Sequence, residues 1–145
     1  MELLKTLKFP LDVKDEWPPV GVEDVGFVVV GDLYRAAVPP LFIKDLSVDD
    51  MIRVNLVDED FVDSWEHVSR SSRTTVWLGR LTEENLSENV LSTLRGLGCT
   101  TSEAPAIGCY SVDVPEELAI DALDSVLEQL DPETVAVAFP AFRHS

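Results

Sequence analysis

The order of strand and helix patterns in the second half of the chain is the feature that most restricts how this sequence can fold. Residues 74–81 have the apolar and β-branched character of a strand. Thr82, followed by Glu83 and Glu84, is a typical helix start, because a hydroxyl cap and early acids favour the helix N-terminus. Apolar residues then recur at helical spacing until Gly98, a residue type that commonly ends helices. Those apolar residues are Leu86, Val90, Leu91, Leu94 and Leu97.

Two strands, a helix and a strand follow. The strands are predicted near residues 100–103 and 109–114, and Pro115 suits the first position of a helix that extends to about Leu130. An Asp-Pro pair stops that helix, and residues 135–139 form a last strand. The resulting β-α-β-β-α-β order is that of ferredoxin-like domains.

The first half of the chain is strand-rich. Apolar and β-branched runs separated by turn residues predict four strands, at residues 23–30, 33–38, 51–57 and 61–68. Short strands joined by turns favour a small antiparallel sheet or a partial barrel. The expected fold class is therefore α+β, with a β-rich part over residues 1–70 and a ferredoxin-like part over residues 71–145. Because 145 residues is the length of about one domain, we expect one compact unit.

The two cysteines are predicted to be reduced and buried. A hairpin that turns at residues 105–108 places position 104 opposite Cys109 and position 99 opposite position 114. The thiols then lie roughly 16 Å apart along the strands, too far for a disulfide. The sequence starts without a signal-peptide pattern, and no apolar stretch approaches the roughly 18 residues of a membrane span. We therefore expect a cytoplasmic protein.

The charge of the chain is strongly negative. The 27 Asp and Glu residues face 11 Lys and Arg residues, for a formal net charge of −16. Such a surface repels phosphate groups, which excludes nucleic-acid binding through a broad basic face and membrane anchoring through a polybasic one. The acids are clustered: residues 113–133 contain eight acids and no base, and residues 45–66 contain eight acids and one base.

Four acids of the last helix are predicted to form one stripe. Placed on a helix, they stay within roughly 60° of one another, with apolar residues on the opposite side; they are Glu117, Asp121, Asp124 and Glu128. Like charges at this spacing destabilise a helix slightly, so the stripe lacks compensation within the chain. A basic protein partner would supply that compensation. A second expected contact surface is the acidic turn of the β-rich part, with Asp58, Glu59, Asp60 and Asp63.

These surfaces favour a non-enzymatic acidic binding protein of the kind that neutralises a basic partner such as a toxin domain, as immunity proteins do. The competing interpretation is that the acids aid solubility or adapt the protein to a cell interior with high salt, where self-repulsion is screened. The scarcity of lysine fits this second interpretation, since the chain has only Lys5, Lys8, Lys14 and Lys44. The sequence leaves both open and does not indicate an oligomeric state.

The side chains that catalysis needs are scarce. His67 and His144 are the only histidines, and the chain has no metalloprotease, CxxC, phosphate-loop or serine-hydrolase motif. We therefore predict no catalytic residue, no cofactor and no metal site. His67 follows Trp65 by two positions in a predicted strand and is interpreted as a packed strand histidine. A hydrolytic enzyme with an unrecognised site is the weakest alternative.

One basic segment interrupts the acidic background. Arg70, Ser72 and Arg73 place two guanidinium groups among hydroxyls, a combination that can hold a phosphate or a carboxylate. Sensing of a small anionic ligand at this segment is the alternative function. The competing interpretation is that both arginines pair with acids of the same chain.

Several short motifs follow one another along the chain. They are Phe9-Pro10-Leu11-Asp12, Trp17-Pro18-Pro19 with Glu23, the Pro-Phe turn in Val38-Pro39-Pro40-Leu41-Phe42, Ser71-Ser72-Arg73-Thr74-Thr75-Val76-Trp77, and Val112-Asp113-Val114-Pro115. This series resembles a bacterial family that is known as an uncharacterised domain of unknown function, although the fourth motif lacks the glycine usual in that family. The resemblance implies a bacterial-type soluble domain and carries no established activity.

Overall fold

In the computed structural model, which describes residues 2–82 and 88–144, the first half of the chain forms a closed five-stranded barrel. Its strands are β1 (Leu3–Pro10), β2 (Val22–Val30), β3 (Leu33–Ala36), β4 (Met51–Val57) and β5 (Phe61–Ser69). Sequential strands pair antiparallel. The barrel closes where β1 meets β5 in parallel at Lys8 and Phe61, and the Lys8 N–H donates to the Asp60 carbonyl at 2.8 Å.

The barrel is filled by the inward-facing residues of its strands. Leu7, Phe27 and Ile52 are fully buried and form the centre of this core, with Phe9 stacked on Phe27 at a ring-centroid distance of 5.8 Å. Four of the strands were predicted to within two residues, whereas β1 was missed. The expectation of a small antiparallel sheet or a partial barrel is corrected to a closed barrel, since the pairing of β1 with β5 completes the closure.

The second half forms a four-stranded antiparallel sheet with two helices. Along the chain its elements are β6 (Thr74–Arg80), α1 (Glu88–Gly96), β7 (Thr100–Ala104), a short 3-10 helix (Pro105–Ile107), β8 (Cys109–Val114), α2 (Ile120–Leu127) and β9 (Val135–Ala141). The strand order in the sheet is β7-β8-β6-β9. Both helices pack on one face, because Leu94 of α1 and Leu123 of α2 share a core with Val76 and Val112 of the sheet. The α+β class of this half is as predicted.

The first helix agrees with the sequence prediction where the structure describes it. Val90, Leu91 and Leu94 are buried as expected, and Gly98 has a φ of 98°, the left-handed conformation that ends helices. The predicted start with Thr82, Glu83 and Glu84, and the predicted apolar position Leu86, depend on residues 83–87, which lie outside the described residues.

The second helix is shorter than predicted. It begins at Ile120 rather than at Pro115, because residues 115–118 form a turn in which the Pro115 carbonyl accepts a hydrogen bond from the Leu118 N–H at 3.1 Å. The same carbonyl is 3.0 Å from Nε2 of His144, a residue that sequence reasoning had left without a role. The Pro115 carbonyl thus has two partners, Leu118 and His144, neither of which belongs to α2.

The cysteines occupy the predicted positions in the hairpin. Ala104 pairs with Cys109 and Thr100 pairs with Asp113, so the register runs as expected. Both Cys99 and Cys109 are buried free thiols. No helix in the described ranges is long and apolar enough to cross a membrane.

The barrel and the sheet meet around the segment that follows β9. Arg143 donates to the carboxylates of Asp45 and Asp50 and to the Ser71 carbonyl, all of which belong to the barrel half or to the link after it. His144 Nδ1 lies 2.6 Å from the Thr74 hydroxyl of β6. Residues from the end of the second sheet are thus bonded into the barrel half.

Candidate functional site

The acidic stripe lies on α2, but its composition differs from the prediction. Asp121 and Asp124 are within the helix and Glu128 is its C-cap, and all three are exposed. Glu117 lies in the turn before the helix, so the four-residue helical stripe is corrected to three residues with a neighbouring exposed acid. In residues 2–82 and 88–144, no lysine or arginine lies within 4 Å of any of these carboxylates, and the last turn of α2 contains no base.

The dipole of α2 stabilises one of these acids and destabilises another. The N-terminal end of a helix carries a partial positive charge and its C-terminal end a partial negative one. Asp121, in the first turn, is therefore favoured, whereas Glu128 at the C-terminal end is opposed by the helix as well as by Asp124 four positions earlier. Of the three acids, Glu128 is therefore the least favourable for the stability of α2.

The second acidic cluster lies at the turn between β4 and β5. Asp58 has a φ of 65°, and Asp63 lies at an exposed position of β5. The Lys5 side chain reaches this turn, but it donates to the backbone carbonyl of Glu59 at 2.7 Å rather than to a carboxylate. Asp60 likewise contributes its carbonyl to barrel closure. The four side chains are thus left with no salt bridge in the described part of the chain.

The basic segment, by contrast, is already paired. Arg70 donates to Asp45 with its Nε and Nη2 atoms, at 3.2 and 3.0 Å. Arg73 holds the buried Asp113 carboxylate through three hydrogen bonds of 2.6 to 3.1 Å, and Ser72 is exposed beside it. These pairings do not favour the predicted anion site, because an incoming anion would have to displace a carboxylate from each guanidinium group.

Asp50 provides a buried carboxylate, not identified from the sequence, at the junction between the barrel and the second sheet. Asp50 is fully buried and accepts hydrogen bonds from the amides of Ser47 and Ser71, at 3.0 and 2.8 Å, and from the guanidinium group of Arg143. Burial alone would raise the pKa of Asp50, but these donors and His67 outweigh it and lower the pKa below the ordinary value. The adjacent Asp49 is exposed, and nothing in the Asp49-Asp50 pair distinguishes the two by sequence.

His67 is a partner of this carboxylate. Its Nε2 atom is 2.9 Å from Asp50 and its ring lies 5.1 Å from that of Trp65, as expected for a packed strand histidine. Within the described ranges, no hydroxyl or thiol is hydrogen-bonded to His67, and no group of three His, Cys, Asp or Glu side chains is arranged to hold a metal ion.

An apolar cleft on the second sheet is the other feature that sequence reasoning did not identify. It has a volume of about 230 Å³ and lies over β6, with Trp77 and Gly79 in its lining and with Trp17 and Phe42 contributed from the first half of the chain. Trp65 and Trp77 lie in different sheets, Trp65 against the barrel core and Trp77 at the cleft. The exposed Trp17 was the available signal, since a tryptophan between two charged residues and two prolines is poorly placed for a core.

Comparison with known families identifies the family to which the chain belongs. A model of the family described as domain of unknown function DUF4265 matches residues 26–137, which is most of the chain. The chain belongs to this family. The resemblance drawn from the short motifs, to an uncharacterised domain family, is therefore confirmed. No curated protein matches the sequence.

A solved structure is similar over nearly the whole chain. It is the crystal structure of a hypothetical protein from Neisseria gonorrhoeae, with a TM-score of 0.71, 15% sequence identity, and coverage of 97% of this chain and 98% of that chain. At this identity the likeness shows the fold alone. Neither the family description nor the similar structure names an activity.

Proposed function

We propose that the protein is a non-enzymatic binding module that recognises a basic partner protein through the acids of α2. The observation that carries this proposal is that Asp121, Asp124 and Glu128 are exposed on one helix that has no base, with no cation within 4 Å in the described ranges. A helix surface of this kind is slightly destabilised by its own charges, and a basic partner relieves that repulsion while the charges steer its approach. Neutralisation of a toxin domain, as by an immunity protein, is one function that such a surface serves.

The barrel turn supplies a second acidic surface for the same partner. Asp58, Glu59 and Asp63 are exposed, and none of them forms a salt bridge with another of residues 2–82 and 88–144. Long-range steering depends on such unpaired charges, and it weakens steeply as the ionic strength rises. The competing explanation, adaptation to solubility or to high salt, predicts instead that no particular face matters.

The test compares two charge reversals that change the net charge equally. The chain, attached to a resin, is presented with the protein encoded by the gene next to its own, and the captured amount is measured at low and high salt. We expect Asp124→Lys with Glu128→Lys to reduce capture at least tenfold. Asp32→Lys with Glu16→Lys, at exposed acids away from α2, should reduce it only slightly.

The outcome that contradicts the proposal is equal loss in both double variants, or capture that neither affects. Equal loss indicates that only the total charge matters. If, in addition, the α2 variant loses solubility only in molar salt, the high-salt explanation is the correct one. A melting temperature for each variant distinguishes lost binding from lost folding.

We further propose that residues 71–145 adopt the ferredoxin-like arrangement and that the protein acts in the cytoplasm. The first proposal is supported by the β-α-β-β-α-β order, the strand order β7-β8-β6-β9, and the packing of both helices on one face. Superposition of a crystal structure on ferredoxin-like domains tests the fold, and fractionation of cells tests the location. A strand order different from β7-β8-β6-β9, or recovery outside the cytoplasmic fraction, would contradict the respective proposal.

A further inference from the structure

Small residues form the floor of the apolar cleft, on the sheet face opposite the two helices. Three cross-strand neighbours, Cys109, Gly79 and Ala136, form one row across β8, β6 and β9, and Ala138 lies beside Trp77 in the next row. A Cβ atom added to Gly79 would meet nothing within 4 Å. The cleft of about 230 Å³ exists because these residues leave space where larger side chains would fill it.

The walls of the cleft are held in place by the first half of the chain. Trp17 follows a tight turn in which Asp15 and Glu16 both have positive φ values, 54° and 64°, and it is 59% exposed. Its ring meets that of Phe42 edge to face at 5.9 Å. Non-glycine residues in this conformation are strained, and strain of this kind is retained where the surrounding structure over-determines it.

The loop that carries Phe42 is anchored by buried polar contacts. The carboxylate of Glu23 is buried and accepts hydrogen bonds from the amides of Leu41 and Phe42, at 2.5 and 2.9 Å. Trp77 Nε1 donates to the Pro40 carbonyl of the same loop at 2.8 Å. The Phe42 loop and Trp77 are therefore held by contacts within the chain, which lowers the entropic cost of binding a ligand beside them.

A second concavity of about 270 Å³ shares the side chains of Trp17, Phe42 and Trp77 with the cleft. Its lining includes the exposed Lys44, which has no carboxylate within 4 Å of its ammonium group among residues 2–82 and 88–144. The acid in the same concavity, Asp12, is instead 3.5 Å from Lys14. In a chain of net charge −16, a lysine with no such partner among the described residues favours an anion in the concavity that it lines.

We propose that this cleft binds a small amphipathic carboxylate, with its apolar body over Gly79 between the aromatic walls and its carboxylate toward Lys44. The dimensions and the lining suit a short apolar chain or ring, and Lys44 suits its charged end. A segment of a basic protein suits the site less, because Lys44 repels it. The site lies on the sheet face opposite α2, so it is independent of the proposed partner surface.

The test uses octanoate as the probe and octanamide as its uncharged match, with binding to the full chain measured by titration calorimetry. We expect saturable binding of octanoate, about tenfold tighter than that of octanamide. Lys44→Gln should abolish this preference and leave octanamide binding unchanged. Asp124→Lys with Glu128→Lys should bind octanoate like the unaltered chain, which separates this proposal from the previous one.

Larger side chains in the floor of the cleft test whether the ligand lies there. Gly79→Val and Ala138→Leu should each weaken octanoate binding at least tenfold, while Ala119→Leu, the same change at an exposed alanine on the helix side, should not. Two floor variants are used so that a melting temperature can identify one that folds poorly.

Absence of saturable heat, equal affinity for octanoate and octanamide, or binding unaffected by both floor variants would overturn the proposal. If the floor variants instead abolish capture of the partner protein while octanoate does not bind, the cleft is a protein interface and the proposal is equally wrong.

Discussion

At the scale of single residues, the junction between the two sheets depends on one carboxylate. Asp50 is fully buried and neutralises Arg143, whose side chain is only 10% exposed. Asp50→Asn removes the buried counter-charge of that guanidinium group and leaves it only the half-exposed Asp45, so we expect a loss of about 3 kcal/mol in the free energy of unfolding, the lower end of the range for a broken buried pair. The matched control is Asp49→Asn, at the exposed neighbour with a φ of 70°, where asparagine is well tolerated and the change should stay within about 0.5 kcal/mol. Urea unfolding followed by tryptophan fluorescence measures both, and equal losses would show that the buried pair has no special role.

The same residue predicts a pH dependence with a definite sign. Burial opposes ionisation of Asp50, but hydrogen bonds from Arg143, the Ser47 and Ser71 amides and His67 lower its pKa overall. A group with a lowered folded pKa stabilises the fold above its unfolded pKa of about 3.9, and that stability is lost as the pH falls through the folded pKa. The difference in unfolding free energy between the unaltered chain and Asp50→Asn should therefore be largest at neutral pH and shrink below about pH 4. A difference that grows on acidification would contradict this assignment.

The cysteines give a second prediction at this scale. Burial raises the pKa of Cys99 to about 11 and also raises that of Cys109, so the reactive thiolate is scarce at neutral pH. We expect Cys99, which lies in the core of the second half, to react with a chromogenic disulfide reagent only at the rate at which the fold opens, and both thiols to react at once in guanidinium chloride. Cys109→Ala removes the thiol in the floor of the cleft, so that the remaining reaction is that of Cys99. Rapid labelling of Cys99 in the folded Cys109→Ala variant would contradict its burial.

At the scale of secondary-structure elements, α2 predicts two opposite effects of the same substitution. Glu128→Lys replaces a repelled acid at the C-terminal end of the helix by a favoured base, and we expect a gain of about 0.5 kcal/mol in unfolding free energy. Asp121→Lys does the reverse in the first turn and should cost a similar amount. Urea unfolding at low ionic strength measures both, and both effects should diminish in high salt. Effects of the same sign would show that net charge, rather than the helix dipole, decides them.

The bounds of the helices and strands show which parts of the fold local sequence patterns can predict. Strand bounds such as those of β4 and β8 agree with the patterns because alternation and turn residues are local signals. The start of α2 differs from the prediction, and the segment before it contacts His144, a residue that no local pattern connects with Pro115. Strand β1 was missed, and its pairing with β5 is likewise a long-range event. The acids of α2 were likewise visible in the sequence, whereas the ion pairs of Arg70 and Arg73 required the fold.

At the scale of the whole molecule, the features missed are those made by both halves together. The cleft combines Trp17 and Phe42, from the first half, with a floor of small residues on β6, β8 and β9. No periodicity of a single segment encodes this juxtaposition. The same is true of Asp50, whose burial arises only when Arg143 reaches it across 93 positions of the chain.

That long-range bond predicts how the molecule unfolds. The barrel and the sheet have separate cores, and Arg143 joins them through Asp45, Asp50 and Ser71. In variants that keep only Trp65 in the barrel or only Trp77 in the sheet, we expect coincident urea transitions, since two halves joined by buried polar bonds unfold together.

Arg143→Ala in the same two backgrounds should then separate the midpoints, because each half retains its own core but loses the buried ion pair that couples them. The matched control is Arg53→Ala, which removes an exposed pair with Glu66 and should shift both midpoints little and equally. Midpoints that remain coincident in Arg143→Ala would assign the coupling to the rest of the contact between the halves. Midpoints already apart in the unaltered chain would show that the barrel and the sheet are independent folding units, with Arg143 stabilising only their docking.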